Sequence, residues 1–156
     1  MRLNLEDLRL RGGQSHVREA SVEVAPISVG GADFDVVVPG GVIISIDRIA
    51  GGYLVKLALD AKVCGPCFRC LGEVCEEVHA EQEEFIPAVA GAWAETESET
   101  TPFVEDLVID LAGLTREAII LSLPDKMLCS EDCKGLCPVC GADLNKTACS
   151  CVALEE

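Results

Sequence analysis

The chain has 156 residues, of which 49% are hydrophobic, and its formal net charge is −15. This length can form one hydrophobic core with a small appended module, and the hydrophobic content argues against disorder throughout. No apolar run approaches the roughly 20 residues of a membrane-spanning helix. The N-terminus lacks the basic start and unbroken apolar stretch of a signal peptide. We therefore expect a cytoplasmic protein without a membrane partner.

The negative charge is concentrated in the second half of the chain. Residues 1–75 carry 9 acidic and 8 basic side chains, a net charge of −1, whereas residues 76–156 carry 18 acidic and 4 basic ones, a net charge of −14. A phosphate backbone is bound by clustered Lys and Arg. We therefore expect a basic protein as partner, with local or indirect contact to RNA. The alternative is that the acidity serves solubility alone.

Residues 1–86 predict an antiparallel β domain. Alternation is weak over residues 1–11, which would form an edge strand, and begins again at Ala20, where Val22 and Val24 alternate with polar residues. Four further strand-like runs follow at residues 34–38, 42–46, 53–59 and 73–85. Three pairs of glycines supply the positive φ of tight turns, so the spacing predicts a meander or barrel-like sheet.

A cysteine-rich segment lies at the tip of the last predicted hairpin. Cys67 and Cys70 have the spacing of a pair of metal ligands. Cys64 and Cys75 flank them and are interpreted as spare thiols near the site, because free cysteines are often simply buried. The alternative is that Cys64, which also precedes Cys67 by three residues, replaces Cys70 as a ligand.

Residues 87–102 follow the β domain and have no apolar periodicity. They are rich in Glu, Thr and Ala, which predicts an acidic, flexible and exposed loop. Trp93 within this loop is either a partly exposed loop residue or a contact point for a partner.

A helix is predicted over residues 110–122, within a segment 103–128 that packs on the sheet. Asp110 can cap its N-terminus, and Pro124 ends it. The apolar side chains that fall near one face are Leu111, Leu114, Ala118 and Leu121. The fold class is therefore α+β, mainly antiparallel β with one C-terminal helix and a cysteine-rich, zinc-binding tail.

The tail, residues 129–156, has too little apolar content to fold around a core, so metal is its expected source of order. Cys137 and Cys140, followed by Gly141, have the spacing of a zinc knuckle, which supplies two of the four ligands of tetrahedral Zn²⁺. The eight predicted metal ligands are Cys67, Cys70, Cys129, Cys133, Cys137, Cys140, Cys149 and Cys151. Together they make two four-cysteine sites.

The preferred grouping joins the last four cysteines in one site and the hairpin pair to Cys129 and Cys133 in the other. The alternative joins the hairpin pair to Cys137 and Cys140. Two structural zinc ions are the expected cofactors, although iron–sulfur clusters also take four thiolates. A redox Cys-x-x-Cys begins a helix in a βαβ unit, whereas the hairpin pair joins two strands.

The sequence shows no sign of an enzyme. All-cysteine zinc sites are usually closed, and the two histidines, His16 and His79, have no recognisable catalytic neighbours. Each histidine is therefore interpreted as solvated or packed. A thiol redox protein or an enzyme of another kind is kept as an alternative.

Three segments together resemble the YceD family of large ribosomal RNA subunit accumulation proteins. They are the Cys-x-Arg-Cys motif at residues 67–70, the helix region 109–124, and the segment 128–141 followed by Leu144 and Asn145. The resemblance implies a role in 23S rRNA accumulation and large-subunit biogenesis.

Two modes of action fit this role. An acidic, non-enzymatic factor would hold a basic ribosomal protein or a pre-ribosomal assembly intermediate by charge complementarity. The alternative is a zinc-dependent RNA-binding module with a local basic patch. The arginines available for that patch are Arg2, Arg9, Arg11, Arg18 and Arg48.

Overall fold

The computed structural model of the chain describes residues 1–88 and 102–151. The strands are β1 (Arg2–Asn4), β2 (Ser15–Ala20), β3 (Ile27–Val29), β4 (Ala32–Val37), β5 (Val42–Ile49), β6 (Gly52–Pro66), β7 (Glu73–Pro87), β8 (Val104–Glu105) and β9 (Val108–Asp110). Helix α1 covers Leu111–Ser122, and a single 3-10 turn covers Glu6–Leu8. Within the described ranges, no helix has the length and apolar character needed to cross a membrane.

Strand β6 is the centre of the larger sheet. β5 pairs with its first half and β4 with its second half, whereas β7 pairs with it along its whole length. β2 extends the sheet beyond β5, and β3 extends it beyond β4. Every one of these pairs is antiparallel, which confirms the predicted fold of antiparallel sheet with one helix.

One face of this sheet carries the core. Successive side chains of a strand point to opposite faces, and the buried hydrophobic residues of β6 are accordingly Tyr53, Val55, Leu57, Leu59, Ala61 and Val63. Helix α1 packs against β7 and contributes Leu111, Leu114, Ala118 and Ile119 to the same core. Thr115 is also buried, and its hydroxyl donates to the carbonyl of Leu111 (2.7 Å), so its polar group is satisfied.

The N-terminal residues are held beside the helix by a second, three-stranded sheet of order β1-β9-β8. The amide of Leu111 donates to the carbonyl of Met1 (3.0 Å), and the amide of Leu5 to that of Leu107 (2.9 Å). Leu5 is fully buried. The strand predicted in residues 1–11 is thus limited to Arg2–Asn4, and the chain then enters the 3-10 turn.

Three local predictions were wrong. Leu121, expected on the apolar face of the helix, is 72% exposed. The strand expected from Ala20 onwards ends at that residue, because its partner β5 begins at Val42, directly opposite Ala20. Asp110 stands at the N-cap position of α1, but its side chain makes no capping hydrogen bond. It is also the last residue of β9, and its amide donates to the carbonyl of Phe103 (2.7 Å).

The predicted loop 87–102 falls mostly outside the described residues. β7 extends through Pro87, and the amide of Ala88 donates to the carbonyl of Gly51 (2.9 Å). Residues 89–101, including Trp93, lie in the part of the chain that the structure does not describe, so the loop and the role of Trp93 stay predictions.

Candidate metal centres

Four cysteines from distant parts of the sequence meet at the tip of the β6–β7 hairpin. We call Cys67, Cys70, Cys129 and Cys133 the hairpin–tail group; their Sγ atoms all lie within 4.8 Å of one another. Two of the Sγ–Sγ distances are 3.8 Å, from Cys67 to Cys133, and 3.6 Å, from Cys70 to Cys129. A tetrahedral zinc ion with ordinary Zn–S bonds places its sulfur ligands about 3.8 Å apart. The group therefore fits one four-coordinate ion.

The turn between β6 and β7 positions the first two of these thiols. The amide of Cys67 donates to the carbonyl of Gly72 (2.7 Å), and the amide of Leu71 donates back to that of Cys67 (3.0 Å). Leu71 takes a positive φ of 58°, which lets the chain reverse immediately after Cys70. The amide of Arg69 points at the Cys67 Sγ at 3.5 Å.

Main-chain and side-chain hydrogen bonds dock the tail onto this turn. The amide of Phe68 donates to the carbonyl of Met127 (2.9 Å), and the amide of Leu136 donates to that of Arg69 (3.1 Å). The Arg69 guanidinium donates to the carbonyls of Cys133 (2.9 Å) and Glu131 (3.1 Å). The hairpin–tail group thus joins two segments that already hydrogen-bond to each other.

The second group lies entirely within the tail. We call Cys137, Cys140, Cys149 and Cys151 the tail group; their Sγ atoms also lie within 4.8 Å of one another. The Cys149 Sγ is 3.4 Å from that of Cys137 and 3.4 Å from that of Cys140. In the described part of the chain, the two groups are the only clusters of three or more His, Cys, Asp or Glu side chains close enough to share an ion.

The tail group is built on the same local turn as the hairpin. The amide of Cys137 donates to the carbonyl of Ala142 (2.8 Å), and the amide of Gly141 donates to that of Cys137 (2.8 Å). Gly141 takes a positive φ of 73°, which costs glycine little. The spacing of Cys137 and Cys140 predicted this knuckle, and the structure gives it the expected local geometry.

Asn145 connects the two groups. Its Nδ2 donates to the Sγ of Cys133 (3.4 Å), and its Oδ1 accepts from the amide of Lys134 (2.8 Å). The amide of Leu144 donates to the carbonyl of Gly135 (2.9 Å). Sequence reasoning assigned no role to Asn145 or to the Arg69 side chain, because both act across the fold and neither belongs to a ligand pattern.

The ionisation of the thiols in the hairpin–tail group favours a bound cation. Burial opposes ionisation of Cys67, but the amides of Cys70, Cys129 and Arg69 outweigh it and lower the pKa of its thiol to about 6. Contact with the thiols of Cys133 and Cys70 raises the pKa of Cys129 to about 12. Four thiolates this close repel one another, so all four lose their protons only when a bound ion balances their charge.

The tail group shows the same contrast between its thiols. The amides of Cys140 and Val139 lower the pKa of the Cys137 thiol to about 6. Contacts with the thiols of Cys149 and Cys140 raise the pKa of Cys151 to about 12. Hydrogen bonds from N–H groups therefore lower the thiol pKa of Cys67 and Cys133 in one group and of Cys137 in the other. The chemistry of the donor set fits a soft, four-coordinate ion such as Zn²⁺.

All eight predicted ligands fall into these two groups, and the grouping is the one that the sequence analysis preferred. The hairpin pair meets Cys129 and Cys133, and the alternative with Cys137 and Cys140 is not what the structure shows. The groups of four could each hold a metal ion.

The interpretation of Cys64 and Cys75 as spare thiols was wrong. They form a disulfide, because residue 64 of β6 stands directly opposite residue 75 of β7 with a Cα–Cα distance of 4.1 Å. Cys64 is therefore not available as a substitute ligand for Cys70. The pairing depends on strand register, which the spacing of cysteines does not reveal.

The two histidines lie outside both groups, as expected. The Nδ1 of His79 is 2.8 Å from the Asp60 carboxylate and its Nε2 is 3.3 Å from that of Glu81. These hydrogen bonds, Asp60 first, raise the pKa of His79 above its ordinary value. His79 is exposed, and this cluster is a solvated set of side chains on the strand surface.

Comparison with known proteins gives one family match. The family described as "Large ribosomal RNA subunit accumulation protein YceD" matches residues 55–156. The chain is 35% identical over 100 residues to uncharacterized proteins of Mycobacterium bovis and Mycobacterium tuberculosis, and 30% identical over 100 residues to one of Mycobacterium leprae. These alignments cover 64% of this chain and 48%, 48% and 46% of the relatives, so the chain spans about half the length of the curated relatives it matches. No solved structure matches.

Proposed function

Because this chain belongs to the YceD family of large ribosomal RNA subunit accumulation proteins, we propose that it is a non-enzymatic factor for 23S rRNA accumulation. In this role it holds a basic large-subunit ribosomal protein, or an assembly intermediate that exposes one, until RNA takes its place. The family match covers the hairpin, the helix and both cysteine groups, which are the parts of the chain that carry the proposal.

The distribution of carboxylates supports a basic protein as partner. Strand β7 carries Glu at positions 73, 76, 77, 81, 83 and 84 and contains no Lys or Arg. Carboxylates on a surface attract cationic partners and repel phosphate. An RNA backbone would instead need a stripe of Lys and Arg.

Two of the five arginines available to a direct RNA-binding module have other neighbours in the fold. The Arg48 guanidinium donates to the carbonyls of Ile49 (2.8 Å) and Gly52 (2.5 Å) and lies 4.7 Å from the centre of the Tyr53 ring. Arg2 lines a hollow together with Glu105 and other carboxylates. The Arg48 side chain is thus engaged within the chain and Arg2 lies among carboxylates, which favours the protein-holding mode over the RNA-binding one.

The two cysteine groups support a structural role for metal. With four thiolate ligands from the protein, a tetrahedral ion has no open coordination position for water or substrate, which is the arrangement of structural zinc sites. Bound zinc would crosslink the hairpin to the tail in one group and close the tail in the other. The chain therefore needs the ions to present its surface and not to carry out a reaction.

Depletion of the protein in the organism that carries it tests the role, and binding in vitro tests the mechanism. Depletion should lower 23S rRNA relative to 16S rRNA and reduce free large subunits. The purified, metal-loaded chain should bind proteins extracted from large subunits and should not bind protein-free 23S rRNA. Unchanged rRNA ratios would refute the role, and tight binding to bare 23S rRNA would refute the mechanism.

A further inference from the structure

One face of the large sheet is left open by the described residues. Cross-strand pairs place Ile43, Ala58 and Glu81 in one row across β5, β6 and β7, and Ser45, Lys56 and Glu83 in the next. We call these two rows the open face. Their side chains point away from the core, because the buried residues of β6 are the alternate ones.

A hollow of about 440 Å³ lies over these two rows. Ser45 and Ala58 have short side chains between the longer ones of Ile43, Lys56 and Glu83, so the surface sinks at its centre. A hollow with a small-residue floor can receive one aliphatic side chain from a partner.

Exposed apolar side chains lie at this hollow and beside it on the same face, without a cover from the described chain. Ile43 is 49% exposed, Val17 on β2 is 62% exposed and Phe85 on β7 is 44% exposed. Val17 stands opposite Ser45, which places it at the end of the second row. Apolar residues grouped on one surface and rimmed by charges mark interaction sites more often than scattered ones do.

The rim of the hollow is acidic. Glu81 and Glu83 line one side, and Glu19 stands opposite Ile43 on the other. The one cation in the two rows, Lys56, is already paired with Glu83 at 3.2 Å. A cationic segment would find two or more carboxylates there, whereas an RNA phosphate would be repelled.

We propose that the open face binds a cationic, amphipathic segment of a ribosomal protein. An aliphatic side chain of the segment enters the hollow between Ile43 and Ala58. Its Lys or Arg side chains lie among the rim carboxylates of Glu19, Glu81 and Glu83, where they compete with Lys56 for Glu83 and with His79 for Glu81. This inference rests on the proposed function and assigns a location to it. A second copy of the chain is a poor occupant, because it would place the same carboxylates opposite each other.

Two charge-reversal variants on the same strand test this location. Glu81→Lys with Glu83→Lys changes the rim, while Glu73→Lys with Glu77→Lys makes the same charge change at exposed positions of β7 nearer the hairpin tip. Glu77 is four residues from Glu81, or roughly 13 Å along a strand. Both pairs raise the net charge equally, so any difference between them reports position and not overall charge.

The probe is a panel of overlapping synthetic peptides that covers the large-subunit ribosomal proteins, with Kd measured by fluorescence anisotropy. The rim variant should weaken the best peptide roughly tenfold or more, and the control pair less than threefold. A third variant, Ala58→Gln, fills the hollow without changing charge and should also weaken binding. Backbone NMR spectra of all three variants verify that the sheet is intact.

Several results would overturn the location. Equal weakening by both charge variants would show that general acidity, and not the open face, attracts the peptide. The chain could also bind whole ribosomal proteins equally well after the rim change and after Ala58→Gln. That result would support the proposed function but would place the docking surface elsewhere on the chain. If the chain bound 23S rRNA and only the rim variant abolished this binding, the open face would be an RNA-binding surface. If the chain self-associated in sedimentation and only the rim variant prevented it, the open face would bind a second copy of the chain.

Discussion

The hairpin–tail group and the tail group use the same turn for different purposes. In both, a Cys-x-x-Cys segment closes with the same pair of main-chain hydrogen bonds, and the next residue has a positive φ. In the hairpin–tail group Cys67 and Cys133 are 0% and 3% exposed, whereas Cys140 and Cys151 of the tail group are exposed. Four thiols thus join two segments of the chain in the hairpin–tail group, whereas in the tail group they close a single loop.

The surroundings of the two groups predict how much the order of each would depend on a bound metal ion. The hairpin–tail group is supported by the buried side chain of Met127 and by the hydrogen bonds of Phe68 and Arg69. The tail group occupies residues 137–151, and of these Cys137 alone is buried. A loop without an apolar core depends on its ligands for order, so loss of metal should affect the tail group more completely but over a shorter range.

The largest expected effect comes from removing one ligand of each group. Cys133→Ser and Cys140→Ser should each lower the zinc content from two ions to one per chain. Cys133→Ser should free the tail from the hairpin, so that NMR signals of residues 129–136 lose dispersion while the remaining ion keeps residues 137–151 ordered. Cys140→Ser should affect residues 137–151 alone. Each change should cost several kcal/mol, because a structural zinc ion contributes of the order of 10 kcal/mol at neutral pH.

A double change of the disulfide cysteines is the control for these ligand variants. Cys64→Ser with Cys75→Ser should leave two ions per chain, because neither residue belongs to a group. A protein that loses an ion on this change would show that the hairpin cysteines exchange roles. If the unmodified protein contained no metal and had disulfides among the eight cysteines of the two groups, neither group would be a metal site.

The sequence predicted the grouping of the cysteines better than it predicted what supports them. Spacing identified eight cysteines as candidate ligands, and the structure brings them together in the two groups of four that the spacing favoured. The Cys64–Cys75 disulfide depends on the register of β6 against β7, and the early end of β2 depends on where β5 begins. These are properties of strand pairing, which local patterns do not contain.

The second prediction concerns Arg69, which supports only the hairpin–tail group. Its Nη1 donates to two tail carbonyls, at 2.9 and 3.1 Å, and Lys keeps the charge but carries it on a compact ammonium instead of a planar guanidinium. Arg69→Lys should destabilise docking of the tail by about 1–2 kcal/mol. Chelator-induced release should become faster for the ion of the hairpin–tail group and stay unchanged for the other. Faster release of both ions would show that the groups are not independent.

The third prediction tests the link between the groups through Asn145. Asn145→Ala removes the Nδ2 donor to the Cys133 Sγ and the acceptor for the Lys134 amide. The loss should cost about 1 kcal/mol and should reduce the zinc affinity of the hairpin–tail group, even though Asn145 lies within the loop of the tail group. Thr147→Ala is a matched control, because its hydroxyl bonds only to the carbonyl of Asp143 at 3.2 Å. If both changes lowered the zinc affinity equally, the loss would come from general destabilisation of the loop and not from the contact between Asn145 and Cys133.

The smallest expected effects come from the positive-φ residues of the two turns, and they have opposite signs. Gly141 has a φ of 73° and no atom within 4 Å of where a Cβ would lie, so Gly141→Ala adds backbone strain alone, about 1 kcal/mol. Leu71 already bears that strain at a φ of 58°, and its side chain is 67% exposed. Leu71→Gly should therefore stabilise the hairpin turn by a few tenths of a kcal/mol, since relief of strain exceeds the added entropy of the unfolded chain.

Zinc competition with a chromophoric chelator measures both changes in one titration. Gly141→Ala should weaken the tail-group ion roughly fivefold, which is the equivalent of 1 kcal/mol, and should leave the other ion unaffected. Leu71→Ala is the control for Leu71→Gly, because it removes the same exposed side chain but keeps the Cβ that causes the strain. If Leu71→Ala strengthened zinc binding as much as Leu71→Gly, the side chain and not the backbone would limit the turn. Stabilisation by Gly alone would show that the two turns are equivalent in backbone energetics and that their different surroundings account for the difference between the groups.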